Sequence, residues 1–262
     1  MKKENNGDLT SFLFENLEQY SVFSRVISRK GGFSAIPFDS LNLGGTVGDD
    51  PKHLASNKDI VWRTYGIDPG KVFDAWQVHG TSVIYTKEGR TIDQPHQKAD
   101  ILVTDVVGLT LLMRFADCVS TVIYDPKHHA IGIAHAGWQG TVQDVAGTLV
   151  KAMSSTFDSE PAALIAGIGP AICIDHYQVG KEVFDQFRDL SVVDSTNSRE
   201  LTGNEFYLDL KKINSAQLKQ AGVQNIENSN ICTACDEEHW FSHRRDKGRT
   251  GRFGAFIQLR VR

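Results

Sequence analysis

The sequence predicts an α/β protein whose mixed sheet carries helices on its outer faces. Six β-prone runs, over 101–104, 109–115, 119–124, 130–134, 163–166 and 253–261, outnumber the helical segments. They do not alternate with helices as a strict βαβ repeat requires, which argues against a purely parallel sheet. Residues 141–157 place Val142, Val145, Ala146, Leu149, Val150 and Met153 at i, i+3, i+4, i+7 spacing, the pattern of an amphipathic helix.

In chain order, residues 1–20 open with Met1-Lys2-Lys3-Glu4-Asn5-Asn6 and read as a flexible N-terminal segment, and residues 21–262, divided by no linker, read as a single catalytic domain. Asp50 and Pro51 supply the N-cap and first position of a helix carrying Leu54, Ile60, Val61 and Tyr65, which stops at Gly66. The runs at 72–76, 109–113 and 130–133 read as strands that each deliver the chain into a loop. The helix over 141–157 follows the third of these loops directly. Shorter helices are expected over 181–189 and 210–220, the second closed by Gly222.

A chain of 262 residues suffices for one large domain with a substantial core, and 40% hydrophobic with 23% charged residues is ordinary for a globular protein. The formal charge of −4 argues against a general nucleic-acid or anionic-membrane binder, which leaves a small molecule as the expected partner. The basic N-terminus is followed by no apolar run of signal-peptide length and no stretch spans a bilayer, so the expected location is cytoplasmic. In a reducing compartment the four cysteines serve as metal ligands, nucleophiles or core residues rather than disulfides.

Three short strings follow the three strands named above: Gln77-Val78-His79-Gly80, Ala116-Asp117-Cys118 and Ala134-His135-Ala136-Gly137-Trp138. Two imidazoles and a thiolate are the ligand types zinc prefers, and three protein ligands leave the open position that separates catalytic from structural zinc. The plainer reading gives each histidine a local hydrogen bond and makes Cys118 a buried thiol. On residue types alone both readings stand, because the three lack a short local ligand spacing.

These strings, with Leu41-Asn42-Leu43-Gly44, Val47-Gly48-Asp49-Asp50, Gly167-Ile168-Gly169-Pro170, Tyr177-Gln178-Val179-Gly180, Phe241-Ser242-His243-Arg244-Arg245-Asp246 and Thr250-Gly251-Arg252, resemble the YfiH/YlmD family from about Phe23 to the C-terminus. That family is named for purine nucleoside phosphorylase activity and was earlier labelled a polyphenol oxidase or laccase-domain family. The resemblance implies a layered α/β/β/α fold related to the catalytic domain of cytotoxic necrotizing factors. It also implies zinc held by His79, Cys118 and His135, and phosphorolysis of adenosine, inosine and methylthioadenosine with adenosine deaminase activity. Relatives usually have Arg after the Ala-His-Ala-Gly-Trp string and Pro two residues after the cysteine, where this chain has Gln139 and Ser120.

Zinc lowers the pKa of a coordinated water toward about 7, which suits attack on a purine ring, and Asp117 beside the cysteine is a candidate proton shuttle by position. Its plainer role is a turn cap. Phosphate asks for an anion site, and backbone N–H groups near Gly140 and Thr141 at a helix start, or the basic run Arg244, Arg245, Lys247, Arg249 and Arg252, would supply it. Two alternatives remain. One is a Cys-His hydrolase using Cys118 on a peptidoglycan-precursor amide; the other is a copper-dependent polyphenol oxidase, although none of the nine histidines forms the His-x-His pairs of multicopper centres. Copper would still displace zinc in vitro.

Cys232 and Cys235 form a Cys-x-x-Cys pair with no second cysteine pair to complete a zinc site, so they read as buried or incidental thiols. His176 carries no specific signal. Glu238-His239 and His243 lack the His-Glu-x-x-His order, and a strand through Trp240-Phe241-Ser242 would set the two histidines about 13 Å apart.

Overall fold

Two six-stranded sheets dominate the computed structural model, which describes residues 1–91 and 93–262 of the chain. In chain order the strands are β1 (Lys2–Asn6), β2 (Leu9–Leu13), β3 (Val22–Ile27), β4 (Val72–Asp74), β5 (Val83–Tyr85), β6 (Ile101–Thr104), β7 (Thr110–Phe115), β8 (Val119–Asp125), β9 (Ala130–Ala136), β10 (Ile165–Ile168), β11 (Gln178–Val179), β12 (Ser198–Leu201), β13 (Glu205–Leu208), β14 (Asn225–Asn228) and β15 (Phe253–Leu259). The α-helices are α1 (Pro51–Tyr65), α2 (Trp138–Val142), α3 (Val145–Phe157), α4 (Lys181–Phe184) and α5 (Leu210–Gln220). The first sheet runs β1-β2-β3-β15-β7-β4, the second β14-β10-β8-β9-β6-β5, and a small third β11-β13-β12. Both large sheets are mixed: β4–β7, β10–β14 and β5–β6 pair parallel among otherwise antiparallel neighbours.

Strand periodicity sorts the side chains into layers. On β7, Leu111, Met113 and Phe115 face the second sheet, where they meet Val122, Ile131 and Ile133, while Leu112 turns outward to Val61 of α1. On the far side of the second sheet, Ile123 and Ala134 pack against Leu149 and Met153 of α3 and Ile213 and Leu218 of α5. The order is therefore α1, first sheet, second sheet, α3 with α5: the four α/β/β/α layers that the resemblance implies. Among the described residues no helix is long and apolar enough to cross a membrane.

Local chemistry explains where the elements agree with expectation and where they differ. Asp50 accepts the Lys52 N–H as N-cap of α1, and Gly66 closes that helix at φ 63°. The helix expected over 141–157 is two helices: Asp144 adopts φ 59° and accepts the Gly147 N–H at 3.1 Å, restarting the helix as a cap. The apolar residues stay in phase across this break, so periodicity alone runs through it. Residues 1–20, expected to be flexible, instead supply β1 and β2, paired from Lys2↔Leu13 to Asn6↔Leu9 and onto β3. All five residues of β2 are buried, which is the driving force for the hairpin. Residues 240–242 are buried but form no strand.

Candidate metal centre

The second sheet brings two of the three strings together by register. β8 pairs with β9 so that Ser120 faces His135, which sets Cys118 beside the end of β9. His135 is thus the penultimate residue of a strand rather than part of the loop after it. The third string is attached from the first sheet: the Gln77 amide donates to Arg114 O at 2.8 Å and accepts the Arg114 N–H at 2.9 Å, so it docks on β7 four residues before the cysteine.

Asp100, wholly buried just before β6, ties these pieces to one point. Its carboxylate accepts the N–H groups of Val78 (3.0 Å), His79 (3.1 Å) and Gly80 (2.8 Å), and Nδ1–H of His135 at 2.8 Å. Burial pushes the Asp100 pKa up, but these donors reverse the shift and hold it below the ordinary carboxylate value. His135 is fixed with Nδ1 protonated, and its other nitrogen is free to ligate. His79 takes φ 62° and Asp117 φ 86°, left-handed conformations that non-glycine residues adopt at a cost and that cluster at functional sites.

Ligand atoms of His79, Cys118 and His135 lie within 4.8 Å of one another. A Cβ placed on Gly137 would sit 2.6 Å from His79 Nδ1 and 3.3 Å from Cys118 Sγ, so glycine keeps open the space those two atoms border. Burial raises the Cys118 thiol, but the adjoining His135 and His79 lower it to about 6. Burial likewise lowers His135, which Cys118 and Asp100 raise to about 9. The pair is therefore a thiolate beside an imidazolium backed by a carboxylate, whose second ring proton a metal ion would replace. One thiolate and two imidazoles, one of them exposed (His79), fit a divalent ion of the zinc or copper type with a face left for another ligand.

The remaining predicted residues separate. Asp117 is buried, with both carboxylate oxygens engaged by Thr233 Oγ1 (2.6 Å), Ser242 Oγ (3.0 Å) and the Arg244 N–H (2.7 Å). Gly140 and Thr141 are buried in α2, where the Thr141 N–H donates to Gly137 O at 2.9 Å as part of the helix. Arg245 spends its guanidinium on Asp246, Thr233 O and Trp240 O. Gln139 is exposed on α2.

Two further residues are coupled to the centre by charge: Arg252, a member of the basic run, and Tyr177. Arg252 is desolvated and feels the charges of Cys118 and Asp117. Its backbone is clamped to the Leu41-Asn42-Leu43 string, its N–H donating to Asn42 Oδ1 and its carbonyl accepting Leu43 N–H, both at 2.9 Å. Tyr177 is held neutral by burial and by the neighbouring Cys118, and the Arg244 guanidinium lies over its ring, 5.1 Å from the centroid. Asp100 carried no local signal, because the pairing of β6 with β9 is what places it. Arg252 was legible as a member of the basic run and of the Thr250-Gly251-Arg252 string.

Known proteins share this architecture. Residues 24–260 match the family described as multi-copper polyphenol oxidoreductase laccase. The purine nucleoside phosphorylase SCO2081 of Streptomyces coelicolor is 36% identical over 231 residues, covering 88% of this chain and 93% of that protein. Purine nucleoside phosphorylase YfiH of Escherichia coli is 32% identical over 88% of this chain and 91% of its own length. The crystal structure of YlmD from Geobacillus stearothermophilus superposes with a TM-score of 0.92 at 32% identity, covering 98% of each chain.

Proposed function

This chain belongs to the YfiH/YlmD family, and from that premise we propose that it is a zinc-dependent purine nucleoside phosphorylase acting on adenosine, inosine and methylthioadenosine, with adenosine deaminase activity. The observation that carries the reading is the His79, Cys118, His135 donor set around the Gly137 space, backed by Asp100. Zinc, when bound, supplies Lewis acidity at an open coordination position. Two imidazoles and one thiolate also accept copper. A multicopper oxidase needs further histidine clusters, and among the described residues the other group of metal donors is cysteine-rich.

The chain's own groups divide the remaining tasks. Asp100 orients His135 and holds the His79 loop. Asp117, with three donors on its carboxylate, is better suited to positioning Cys118 than to moving a proton. Arg252, which feels the charges of Cys118 and Asp117, and Arg244, which lies over the Tyr177 ring, are the cations assigned to an anionic acceptor, which transfers the phosphate role from Arg245, Gly140 and Thr141. In phosphorolysis a phosphate oxygen bonds to the anomeric carbon as the bond to the purine nitrogen breaks. In deamination water adds at C6 and ammonia leaves.

The test is product analysis with adenosine and phosphate on metal-analysed protein. Ribose 1-phosphate and inosine are expected from zinc-loaded protein, with loss on chelation and return on adding zinc. Full activity in zinc-free protein, or zinc-loaded protein inert on every purine nucleoside, sinks the reading.

The Cys118–His135–Asp100 arrangement also supports a second reading, a metal-free Cys-His hydrolase acting on a peptidoglycan-precursor amide. Alkylation separates the two. Under the first reading Cys118 is protected until a chelator is added; under the second it reacts at once.

A further inference from the structure

Cys173, His176, Cys232 and Cys235 bring ligand atoms within 4.8 Å of one another. Two x-x turns supply them, Cys173-x-x-His176 after β10 and Cys232-x-x-Cys235 after β14. The parallel pairing of β10 with β14 continues into a bridge between Ala171 and Cys232, which brings the turns face to face.

The two sulfur–nitrogen distances fit a tetrahedral centre. Bonds of about 2.3 Å to sulfur and about 2.0 Å to nitrogen at tetrahedral angles set sulfur and nitrogen ligands about 3.5 Å apart. His176 Nδ1 lies 3.3 Å from Cys173 Sγ and 3.5 Å from Cys235 Sγ. Backbone N–H groups point at the sulfurs: that of Cys173 lies 3.3 Å from Cys232 Sγ, that of Cys235 also faces Cys232, and those of Asp175 and His176 face Cys173. Such donors stabilise thiolates. Three thiolates and one divalent ion leave one negative charge, and the Lys211 ammonium answers it. Lys211 is 6% exposed, donates to Ile231 O at 2.6 Å, and has the three cysteines among its charged neighbours.

We propose that Cys173, His176, Cys232 and Cys235 form a second, structural zinc site with a closed set of four protein ligands. Its place gives it a job. Thr233, inside the second turn, donates to Asp117 Oδ1 at 2.6 Å, and the Ile172 N–H donates to Asp117 O at 3.1 Å. The two turns thereby hold the loop that presents Cys118, and the ion would lock them.

Zinc content decides the matter without an activity assay. Full-length protein and the Cys118→Ser, Cys235→Ser and doubly substituted variants, expressed with zinc and desalted, are expected to hold two, one, one and no zinc ions per chain. One ion in the wild type that disappears in Cys118→Ser overturns this site while sparing the proposed function. One ion that survives in Cys118→Ser and disappears in Cys235→Ser does the reverse. Should Cys235→Ser prove insoluble, cobalt in the Cys118→Ser variant serves instead. Tetrahedral cobalt bands with thiolate charge transfer then come from Cys173, Cys232 and Cys235. Absence of those bands, with all three thiols alkylated in native zinc-treated protein or two of them joined as a disulfide, overturns the inference.

Discussion

Cys118 and His135 stand at strand ends and His79 in the loop between β4 and β5, with a buried carboxylate behind one imidazole, whereas Cys173, His176, Cys232 and Cys235 stand in two turns backed by N–H groups and a buried ammonium. The first set is short of a tetrahedron by one ligand and is kept open by a glycine. The second has its fourth ligand and its charge balance. Ligand number and what lies behind the ligands thus distinguish a centre built to admit a reactant from one built to hold two loops. The same thiolate chemistry serves both.

Removing ligands from the open centre breaks the comparison most severely. Cys118→Ala, His79→Ala and His135→Ala are each expected to reduce deamination and phosphorolysis to background and to empty this site, with the second ion retained. The loss of affinity should exceed the roughly 10- to 100-fold that follows removal of a ligand's hydrogen-bond partner. Elemental analysis alongside rate measurements checks it, and full zinc retention by any two of the variants means the ligands are misassigned.

Asp100→Ala removes that partner itself and should weaken zinc at the open centre by about 10- to 100-fold while leaving the cysteine-rich site filled. Competition with a chelator of known affinity reads the difference. Equal weakening at both sites would mean that Asp100 supports the fold generally. Gly137→Ala sharpens the point with less disturbance, because the added methyl would lie 2.6 Å from His79 Nδ1. Overpacking of about 1–3 kcal/mol is expected to appear as weaker metal at the open centre, with far-ultraviolet circular dichroism unchanged.

These effects bear on how much was legible beforehand. The strands around the three strings were readable because β-branched and apolar runs end where the ligands begin, and α1 carried its own cap signals at Asp50 and Gly66. Asp100 was not readable, since its meaning depends on β6 pairing with β9 in the register Ile101↔Ala134. The cysteine-rich cluster was half visible as Cys232-x-x-Cys235. Its other half is Cys-x-x-His, joined to it only through the parallel β10–β14 pairing, which no local pattern encodes. Arg245 stood out within a basic run, yet its guanidinium closes on the carboxylate of Asp246 and on two carbonyls, whereas Arg252 of the same run, its backbone placed by Asn42 and its guanidinium held by Thr250 O and Gly251 O, has no carboxylate partner among the described residues and feels the charge of Cys118.

Arg252→Gln should therefore raise the Michaelis constant for phosphate by about tenfold, the loss of roughly 1–2 kcal/mol of charge-assisted bonding, with deamination changed less. Arg245→Gln, in contrast, should lower thermal stability and leave phosphate dependence nearly intact. The opposite ranking in steady-state kinetics would return the anion site to Arg245.

The smallest effect is expected where the two centres touch. Thr233 lies between two ligands of the cysteine-rich site and gives its hydroxyl to Asp117, the neighbour of Cys118. Thr233→Val keeps the shape and removes only that donor. One oxygen of a buried carboxylate then loses a partner, at a cost of about 1–3 kcal/mol, while Ser242 and the Arg244 N–H retain the other. Both ions should stay bound, since no ligand changes. If the turns hold the Cys118 loop as inferred, turnover should fall a few-fold at unchanged zinc content, and the two ions should be lost on heating at closer temperatures in the wild type than in the variant. A variant that loses stability without any change in rate or in metal release would show that Thr233 supports the fold but passes nothing between the centres.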